Sequence, residues 1–249
     1  MIPEELAQPL ELPADEALAL LSTGEISVEG RLVDASNATL YCAVTADGVT
    51  AAAVYKPVAG ERPLWDFPDG TLAEREVAAH EVSAASGWGI VPPTVYREDG
   101  PLGPGMVQLW IAEDPESDVV TLIRRRDNAA LRRIAVFDAV INNADRKGGH
   151  LLPTTDGHIY GVDHGVTFHS EDKLRTVLWQ WAGRRLPDDA LDTLGSLRAQ
   201  LDGELGQRLG RLMTTRELRR TVRRVDRLLS SRCHPEPSDE WPSVPWPPI

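Results

Sequence analysis

The sequence predicts an α+β protein of two unequal lobes, a small antiparallel β lobe followed by a mostly helical large lobe. Three strands, one helix and two more strands follow one another between about residues 24 and 112. From residue 115 onward the apolar residues recur mostly at helical spacing. We therefore expect one domain over 1–232, with its lobes at about 24–112 and 115–232, and a proline- and tryptophan-rich tail over 233–249.

The small lobe is predicted to follow a short helix over residues 14–22. Two strands, at 26–33 and 40–44, flank a small polar turn at 34–39. The dipeptide Asp47-Gly48 is typical of a β-hairpin turn, and it predicts a third strand over 49–56. That strand ends at Pro57, because proline cannot donate to the ladder of hydrogen bonds.

A helix is predicted next, over residues 71–86. Thr71 and Glu74 form the pattern of a capping box at its start, and Gly87 ends it. Two further strands, at 90–96 and 105–112, complete the small lobe. Three strands, a helix and two strands is the order of elements in the small lobe of a kinase.

The large lobe is predicted to begin its core with an apolar helix over 129–141. A polar loop and two short strands near 151–152 and 159–162 follow, and then helices over 171–183, 188–212 and 214–231. After Cys233 the composition becomes proline-rich, which predicts an extended tail. Its Trp241 and Trp246 favour docking of the tail on the rest of the chain, because exposed tryptophan is costly.

Composition restricts the classes of function. The net charge of −12 argues against nucleic acid and anionic membranes as partners. Cys42 and Cys233 are the only cysteines, too few for a disulfide framework, which indicates a reducing compartment. The N-terminal residues are acidic, unlike a signal peptide, and no apolar run reaches the ~18–20 residues of a membrane helix. We expect a cytoplasmic protein without stable membrane insertion.

The most informative stretch is the polar loop at 142–152 together with residues 159–165. Asp145 lies in the loop, His150 follows five positions later, and Asp163 comes eighteen positions after Asp145. Kinases that use magnesium and ATP need such a layout, in which one Asp orients the acceptor hydroxyl and a second binds the metal on the phosphates. We predict Asp145 in the first role and His150 and Asp163 as metal ligands.

The residue five positions after Asp145 departs from the kinase pattern, which has Asn there. His150 offers an imidazole, and imidazole suits softer metals than magnesium. The sequence therefore predicts that Mn²⁺ serves as well as Mg²⁺ or better.

Lys56, at the end of the third strand, is the predicted phosphate ligand. It needs a carboxylate to hold it, and the helix at 71–86 offers Glu74, Glu76 and Glu81. Glu76 is favoured because it lies mid-helix, whereas Glu74 is assigned to the cap. The alternative for Glu76 is a place on the solvated face of the helix.

Other positive charge and backbone donors are predicted around the phosphates. The backbone N–H groups of Ser36, Asn37 and Ala38, in the turn at 34–39, are candidates for binding phosphate oxygens. Lys147 is predicted to add catalytic positive charge near the γ-phosphate. Arg146 is predicted either to do the same or to serve as a structural ion-pair residue.

These motifs resemble those of the phosphatidylinositol 3-/4-kinase family, especially type II phosphatidylinositol 4-kinases and their bacterial relatives, and also a narrower actinobacterial family of uncharacterised kinase-like proteins. The likeness lies within a region of roughly 24–168, in residues 54–57, 75–79, 89–94, 106–110, 143–146 and 162–165. It implies a two-lobed, atypical kinase fold that binds ATP with Mg²⁺ or Mn²⁺. It also implies that adenine faces Gln108, Leu109, Trp110 and Ile111.

The resemblance implies transfer of the ATP γ-phosphate to a hydroxyl, but it leaves the acceptor open. The sequence has no palmitoylation-type cysteine cluster, so a small soluble molecule or a protein is favoured over a bilayer lipid. Lys173, Arg175, Arg184 and Arg185 are candidates for meeting an anionic group. Two alternatives are a pseudokinase, a nucleotide-binding regulatory module favoured by the glycine-poor turn and His150, and an AMP-transferring enzyme on the same fold.

Overall fold

A computed structural model describes residues 12–32 and 37–249, and it confirms the predicted fold class. The small lobe carries one antiparallel sheet of five strands in the order β1-β2-β3-β5-β4. Its elements are α1 (Ala14–Thr23), β1 (Glu25–Arg31), β2 (Leu40–Ala46), β3 (Val49–Pro57), α2 (Leu72–Ser86), β4 (Thr94–Gly100) and β5 (Gly103–Leu109).

The hairpin between β2 and β3 forms where the Asp-Gly dipeptide predicted it. Asp47 and Gly48 both adopt positive φ angles, 51° and 79°, and Ala46 pairs with Val49 across the turn. Behind the sheet, α1 contributes Leu20 and Leu21 to the apolar core of the small lobe. The helix that precedes the first strand therefore packs as part of this lobe.

The start of α2 corrects the predicted capping box. Thr71 donates its hydroxyl to the carbonyl of Pro68, 2.8 Å away, and its side chain caps no backbone N–H of the helix. The backbone N–H groups of Leu72 and Ala73 donate instead to the carboxylate of Glu61, at 3.2 and 2.9 Å. A carboxylate also suits the positive end of the helix dipole.

The last two strands of the small lobe are displaced from the predicted ranges of 90–96 and 105–112. Pro92 and Pro93 cannot donate to a ladder, so the chain enters β4 only at Thr94. Gly100 pairs with Gly103, which makes a tight hairpin between β4 and β5. The other edge of β5 pairs with β3, where Lys56 lies opposite Met106.

The large lobe is mostly helical. Its elements are α3 (Val119–Leu122), α4 (Ala129–Ile141), β6 (Leu151–Pro153), β7 (Ile159–Gly161), α5 (Asp188–Leu201), α6 (Glu204–Leu209) and α7 (Thr215–Ser231), with short 3₁₀ turns at Gly148–His150 and Trp179–Trp181. The helix predicted over 129–141 is confirmed, and it lies in the centre of the core of the lobe.

Two helix predictions for the large lobe were wrong. Residues 171–183 form no helix beyond the turn Trp179–Trp181, because their backbone pairs with the loop that follows α4. The helix predicted over 188–212 breaks between Leu201 and Glu204. At the break, Gly206 approaches the carbonyl of Leu201 so closely that a Cβ would collide with it.

The tail packs along the large lobe without forming a helix or strand. The carbonyl of Ser243 accepts hydrogen bonds from Thr176 N (3.0 Å) and Trp179 Nε1 (2.7 Å). Trp241 stacks on Trp65 with ring centroids 6.2 Å apart, whereas Trp246 is 86% exposed. The tail is therefore docked, as predicted, and Trp241 rather than Trp246 contributes the aromatic contact.

Within residues 12–32 and 37–249, no helix has both the length and the apolar character needed to cross a membrane.

A buried ion pair attaches the loop after α4 to the core. Arg146 and Asp138 are both fully buried, and two guanidinium nitrogens of Arg146 bind the carboxylate at 2.9–3.2 Å. Asn143 donates to the same carboxylate at 3.0 Å. Of the two roles predicted for Arg146, the structure thus shows the structural ion pair.

We predict that Arg146→Ala destabilises the protein by about 3–5 kcal/mol, because it leaves the charge of Asp138 buried and unpaired. Arg133→Ala is the matched control, since Arg133 lies on α4, the helix that carries Asp138, and pairs with Asp189 at the surface. Its expected cost is below about 1 kcal/mol. The measurement is urea unfolding, and equal costs for the two variants would refute the structural role of the pair.

Candidate active site

A cleft of about 310 Å³ lies between the sheet of the small lobe and the β6–β7 hairpin of the large lobe. Apolar side chains form much of its wall, and charged groups gather at one end. Its lining includes Leu32, Asn37, Thr39, Val54, Lys56, Gln108, Leu109, Trp110, Ile111, Glu113, Gly149, His150, Leu152, Val162 and Asp163. Most of the predicted site residues therefore surround one cavity.

Lys56 is held between two carboxylates from different lobes. Its Nζ lies 2.6 Å from Glu76 Oε1 and 2.9 Å from Asp163 Oδ1. Of the three glutamates that α2 offered, Glu76 is the partner, and Glu81 binds Arg208 instead. The second oxygen of Glu76 accepts the backbone N–H of His164 at 2.7 Å, which fixes this carboxylate relative to Asp163.

The charges of this triad depend on one another. Burial alone would lower the pKa of Lys56, but Asp163 and Glu76 outweigh burial and raise it. Lys56 in turn lowers the pKa of Asp163 well below its usual range, against the effect of burial. Lys56 and Asp163 are therefore both ionised at neutral pH. The ammonium group suits an anion such as phosphate, and the carboxylate suits a cation.

His150 lies directly beside the outer oxygen of Asp163. Its Nε2 is 3.4 Å from Asp163 Oδ2. Burial lowers the pKa of His150 to about 4, although the charge of Asp163 opposes this shift. The imidazole is consequently neutral at neutral pH, which is the form that binds metals.

Asp145 occupies the other side of the loop after α4. Its backbone N–H donates to Asn143 Oδ1 at 2.9 Å, and its carboxylate lies 3.2 Å from Lys147 Nζ. Burial raises the pKa of Asp145, and the charge of Lys147 opposes that shift. The loop thus presents a partly desolvated carboxylate beside Asp163, and the two line one small cavity.

The residues expected to face adenine lie on the cleft, with one difference. Gln108 is buried and its side-chain amide donates to Thr94 Oγ1 at 2.8 Å, so this side chain is already used. Trp110 packs edge-on against Tyr41, with ring centroids 5.1 Å apart. The side chain of Gln108 thus has a structural partner, and the prediction that residues 108–111 face adenine stays a prediction.

The turn expected to cover the phosphates is described only in part. Ser36 lies outside the described residues. Asn37 lines the cleft, and its side-chain oxygen accepts the backbone N–H of Arg62 at 2.9 Å. The backbone N–H of Ala38 already donates to the carbonyl of Gly60 at 3.0 Å, so the prediction that it binds phosphate is wrong. The sequence reasoning did not identify Glu113, which also lines the cleft, because it lies in an irregular segment that carries no motif.

The donor set at Asp163 fits a metal that arrives with its own ligands. Among the described residues no group of three His, Cys, Asp or Glu side chains could hold a metal ion. Asp163 and His150 supply one carboxylate and one neutral imidazole. Magnesium-type ions in phosphate sites are commonly bound by one or two protein groups together with phosphate oxygens and water. The residues present therefore fit a metal–nucleotide complex.

Comparison with known proteins supports the fold. No family model matches the chain. The Golgi casein kinase with Mn/ADP bound has a TM-score of 0.58 and 15% identity, with 88% of this chain and 75% of that chain covered. A hydra Fam20 structure with sugar has a TM-score of 0.58 and 15% identity, with 88% and 87% covered. At this identity the likeness establishes a kinase-like fold, and the phosphatidylinositol kinase resemblance stays a prediction.

A curated relative covers nearly the whole chain. Protein Rv2133c of Mycobacterium tuberculosis is 43% identical over 267 residues, which include 94% of this chain and 95% of the relative. Identity of this extent along the full length leaves no room for a different fold in the two proteins. The chain therefore belongs to the family of protein Rv2133c.

Proposed function

We propose that the protein is an ATP-dependent phosphotransferase, an atypical kinase that moves the γ-phosphate of ATP to a hydroxyl of a small molecule or protein. The observation that carries this proposal is the triad of Lys56, Glu76 and Asp163 at the charged end of the cleft. A half-buried lysine held by two carboxylates beside an apolar cavity matches the needs of a nucleotide site. The kinase-like fold of the chain agrees with it.

Each residue of the triad has a separate task in this proposal. Lys56 donates from its ammonium group to the phosphates, and Glu76 keeps that group in place. Asp163 and His150 hold the divalent metal, which when bound supplies positive charge to the phosphate oxygens. The Golgi casein kinase, which shares the fold, was solved with Mn/ADP bound, and this supports a metal–nucleotide complex here.

Asp145 acts on the acceptor. Its raised pKa, caused by burial, brings the carboxylate closer to the range in which it can accept a proton from the hydroxyl. Lys147 remains close enough to Asp145 to add positive charge as the γ-phosphate is transferred. Phosphoryl transfer requires mainly positioning and charge stabilisation, so these groups suffice for the reaction.

A pseudokinase is the second candidate. His150 favours it, because a neutral imidazole stands where kinases have an amide. An imidazole nitrogen in place of an amide oxygen leaves Mg²⁺ with one oxygen ligand fewer. Such a protein binds ATP without forming a phosphorylated product and depends little on metal.

We predict that ATP with Mn²⁺ or Mg²⁺ raises the melting temperature of the protein and that EDTA or Asp163→Ala removes the effect. A ligand at 100 times its Kd stabilises the folded state by about 2.7 kcal/mol. Asp192→Ala is the control, since Asp192 is exposed on α5. The proposal fails if wild type shows no shift with any metal, and a metal-independent shift favours the pseudokinase.

We further predict that His150→Asn changes the metal preference. Wild type should be stabilised by ATP at lower Mn²⁺ than Mg²⁺ concentrations, because imidazole is the softer ligand, and Asn should reduce the difference. The measurement is the half-maximal concentration of each metal in the same thermal assay. His158→Asn, in the exposed turn between β6 and β7, is the control. An unchanged Mn²⁺/Mg²⁺ ratio in His150→Asn would show that His150 is not a metal ligand.

A further inference from the structure

The four basic residues that sequence reasoning offered for an anionic group separate in the structure. Lys173 is buried and binds Asp66 at 2.7 Å. Arg184 and Arg185 line a different cavity, with two other arginines and Trp181. Arg175 lies against the loop that carries Asp145 and, unlike Lys173, has no carboxylate partner in the described chain, so its charge is available to the acceptor side of the candidate active site.

The backbone of Arg175 is clasped to that loop on both sides of Asp145. Its N–H donates to the carbonyl of Asn143 at 2.9 Å, and its own carbonyl accepts the N–H of Arg146 at 3.0 Å. Asp145 lies between these two loop residues. The root of the Arg175 side chain is therefore fixed relative to the carboxylate that is proposed to orient the acceptor hydroxyl.

The guanidinium of Arg175 lacks the partner that comparable arginines have. The deeply buried arginines of the described chain each bind a carboxylate: Arg75 binds Glu217, Arg97 binds Asp99, Arg146 binds Asp138 and Arg224 binds Asp172. Arg175 is half-buried, and within the described chain no carboxylate lies in ion-pair range of it. Its Nε is enclosed and has no hydrogen-bond partner.

An enclosed guanidinium nitrogen without a partner costs free energy, because water is removed and nothing replaces it. A carboxylate partner offsets this cost for Arg75, Arg97 and Arg146, whereas Arg175 has no such partner in the described chain. The charge of Arg175 also lies close enough to Asp145 to lower the pKa of that carboxyl, although burial, Lys147 and Asp163 have larger effects. Guanidinium groups bind phosphate and carboxylate with two parallel hydrogen bonds.

We propose that Arg175 binds an anionic group of the acceptor, which is a small molecule whose phosphate ester or carboxylate lies near the hydroxyl that is phosphorylated. This inference rests on the phosphotransferase function proposed above. In the transfer, the hydroxyl oxygen forms a bond to the γ-phosphorus, and the bond from that phosphorus to ADP breaks with its electrons remaining on ADP. Asp145 takes the hydroxyl proton, and Arg175 keeps the acceptor in place.

The docked tail is the reason for choosing a small acceptor over a protein. An extended peptide would need free backbone groups along residues 174–177, but the N–H of Thr176 is already bound by the carbonyl of Ser243. Farther along, the N–H of Gly148 donates to the carbonyl of Pro248 at 2.8 Å. The tail thus occupies the edge along which a peptide would pair.

The test compares hydroxyl compounds that differ only by a phosphate. Glycerol is paired with glycerol 3-phosphate and glucose with glucose 6-phosphate, and thermal stabilisation is measured with saturating ADP and Mn²⁺ so that the nucleotide cleft is filled. We expect a phosphorylated member to bind wild type at least about tenfold more tightly than its partner, as a charge-assisted hydrogen bond would produce. Arg175→Gln should lose this difference, and Arg175→Lys should keep part of it.

Arg184→Gln is the matched control, because Arg184 is exposed and also has no carboxylate partner in the described chain. The proposal is overturned if Arg175→Gln binds the phosphorylated compounds as wild type does. It is equally overturned if neither phosphate ester binds wild type better than its hydroxyl partner. Stabilisation by ADP and Mn²⁺ alone reports on the proposed phosphotransferase function. If one of these two outcomes occurs while ADP and Mn²⁺ still stabilise wild type and Arg175→Gln, only the acceptor inference has failed. If ADP and Mn²⁺ do not stabilise wild type, both proposals fail.

Discussion

The position of one ammonium group between two carboxylates governs the rest of this site. Glu76 comes from the small lobe and Asp163 from the large lobe, and Lys56 binds both within 2.9 Å. One oxygen of the ionised Asp163 is bound by Lys56, and the other lies 3.4 Å from the neutral imidazole of His150. The triad therefore joins the two lobes and leaves, beside Lys56, the carboxylate and the imidazole that are proposed to hold a metal.

The guanidinium of Arg146 connects the segments that carry Asp145 and Asp163. Besides Asp138, Arg146 binds the carbonyls of His150 and Val162, at 3.3 and 3.1 Å, and it contacts His164. It thus holds both the loop with Asp145 and the hairpin that presents Asp163. Arg146 is fully buried, so its guanidinium fixes this geometry from inside the core, whereas its neighbour Lys147 is half-buried and pairs with Asp145.

The sequence was informative where structure is decided locally. Asp47-Gly48 determined a hairpin, the apolar periodicity of α4 determined a helix, and the spacing of the acidic residues identified the loop of the candidate site. It was misleading where distant residues decide. Glu61 caps α2 from eleven residues upstream, and residues 171–183 abandon a helical pattern because the loop after α4 and the tail satisfy their backbone. The free guanidinium of Arg175 was equally invisible, since only the fold shows which arginines find carboxylates.

The C-terminal tail contacts residues that position both the proposed acceptor side and the proposed nucleotide side of the site. Lys173 lies 4.4 Å from the ring of Trp241 and 4.8 Å from the ring of Trp65, and it binds Asp66 in the loop that precedes α2. That loop also carries Glu61, which caps the helix that presents Glu76. Thr176 is bound to the tail, and Arg175 is bound to the loop of Asp145. Contacts therefore run continuously from the tail to the carboxylates of Asp145 and Glu76. The residues after Cys233 are therefore part of the framework that fixes the site.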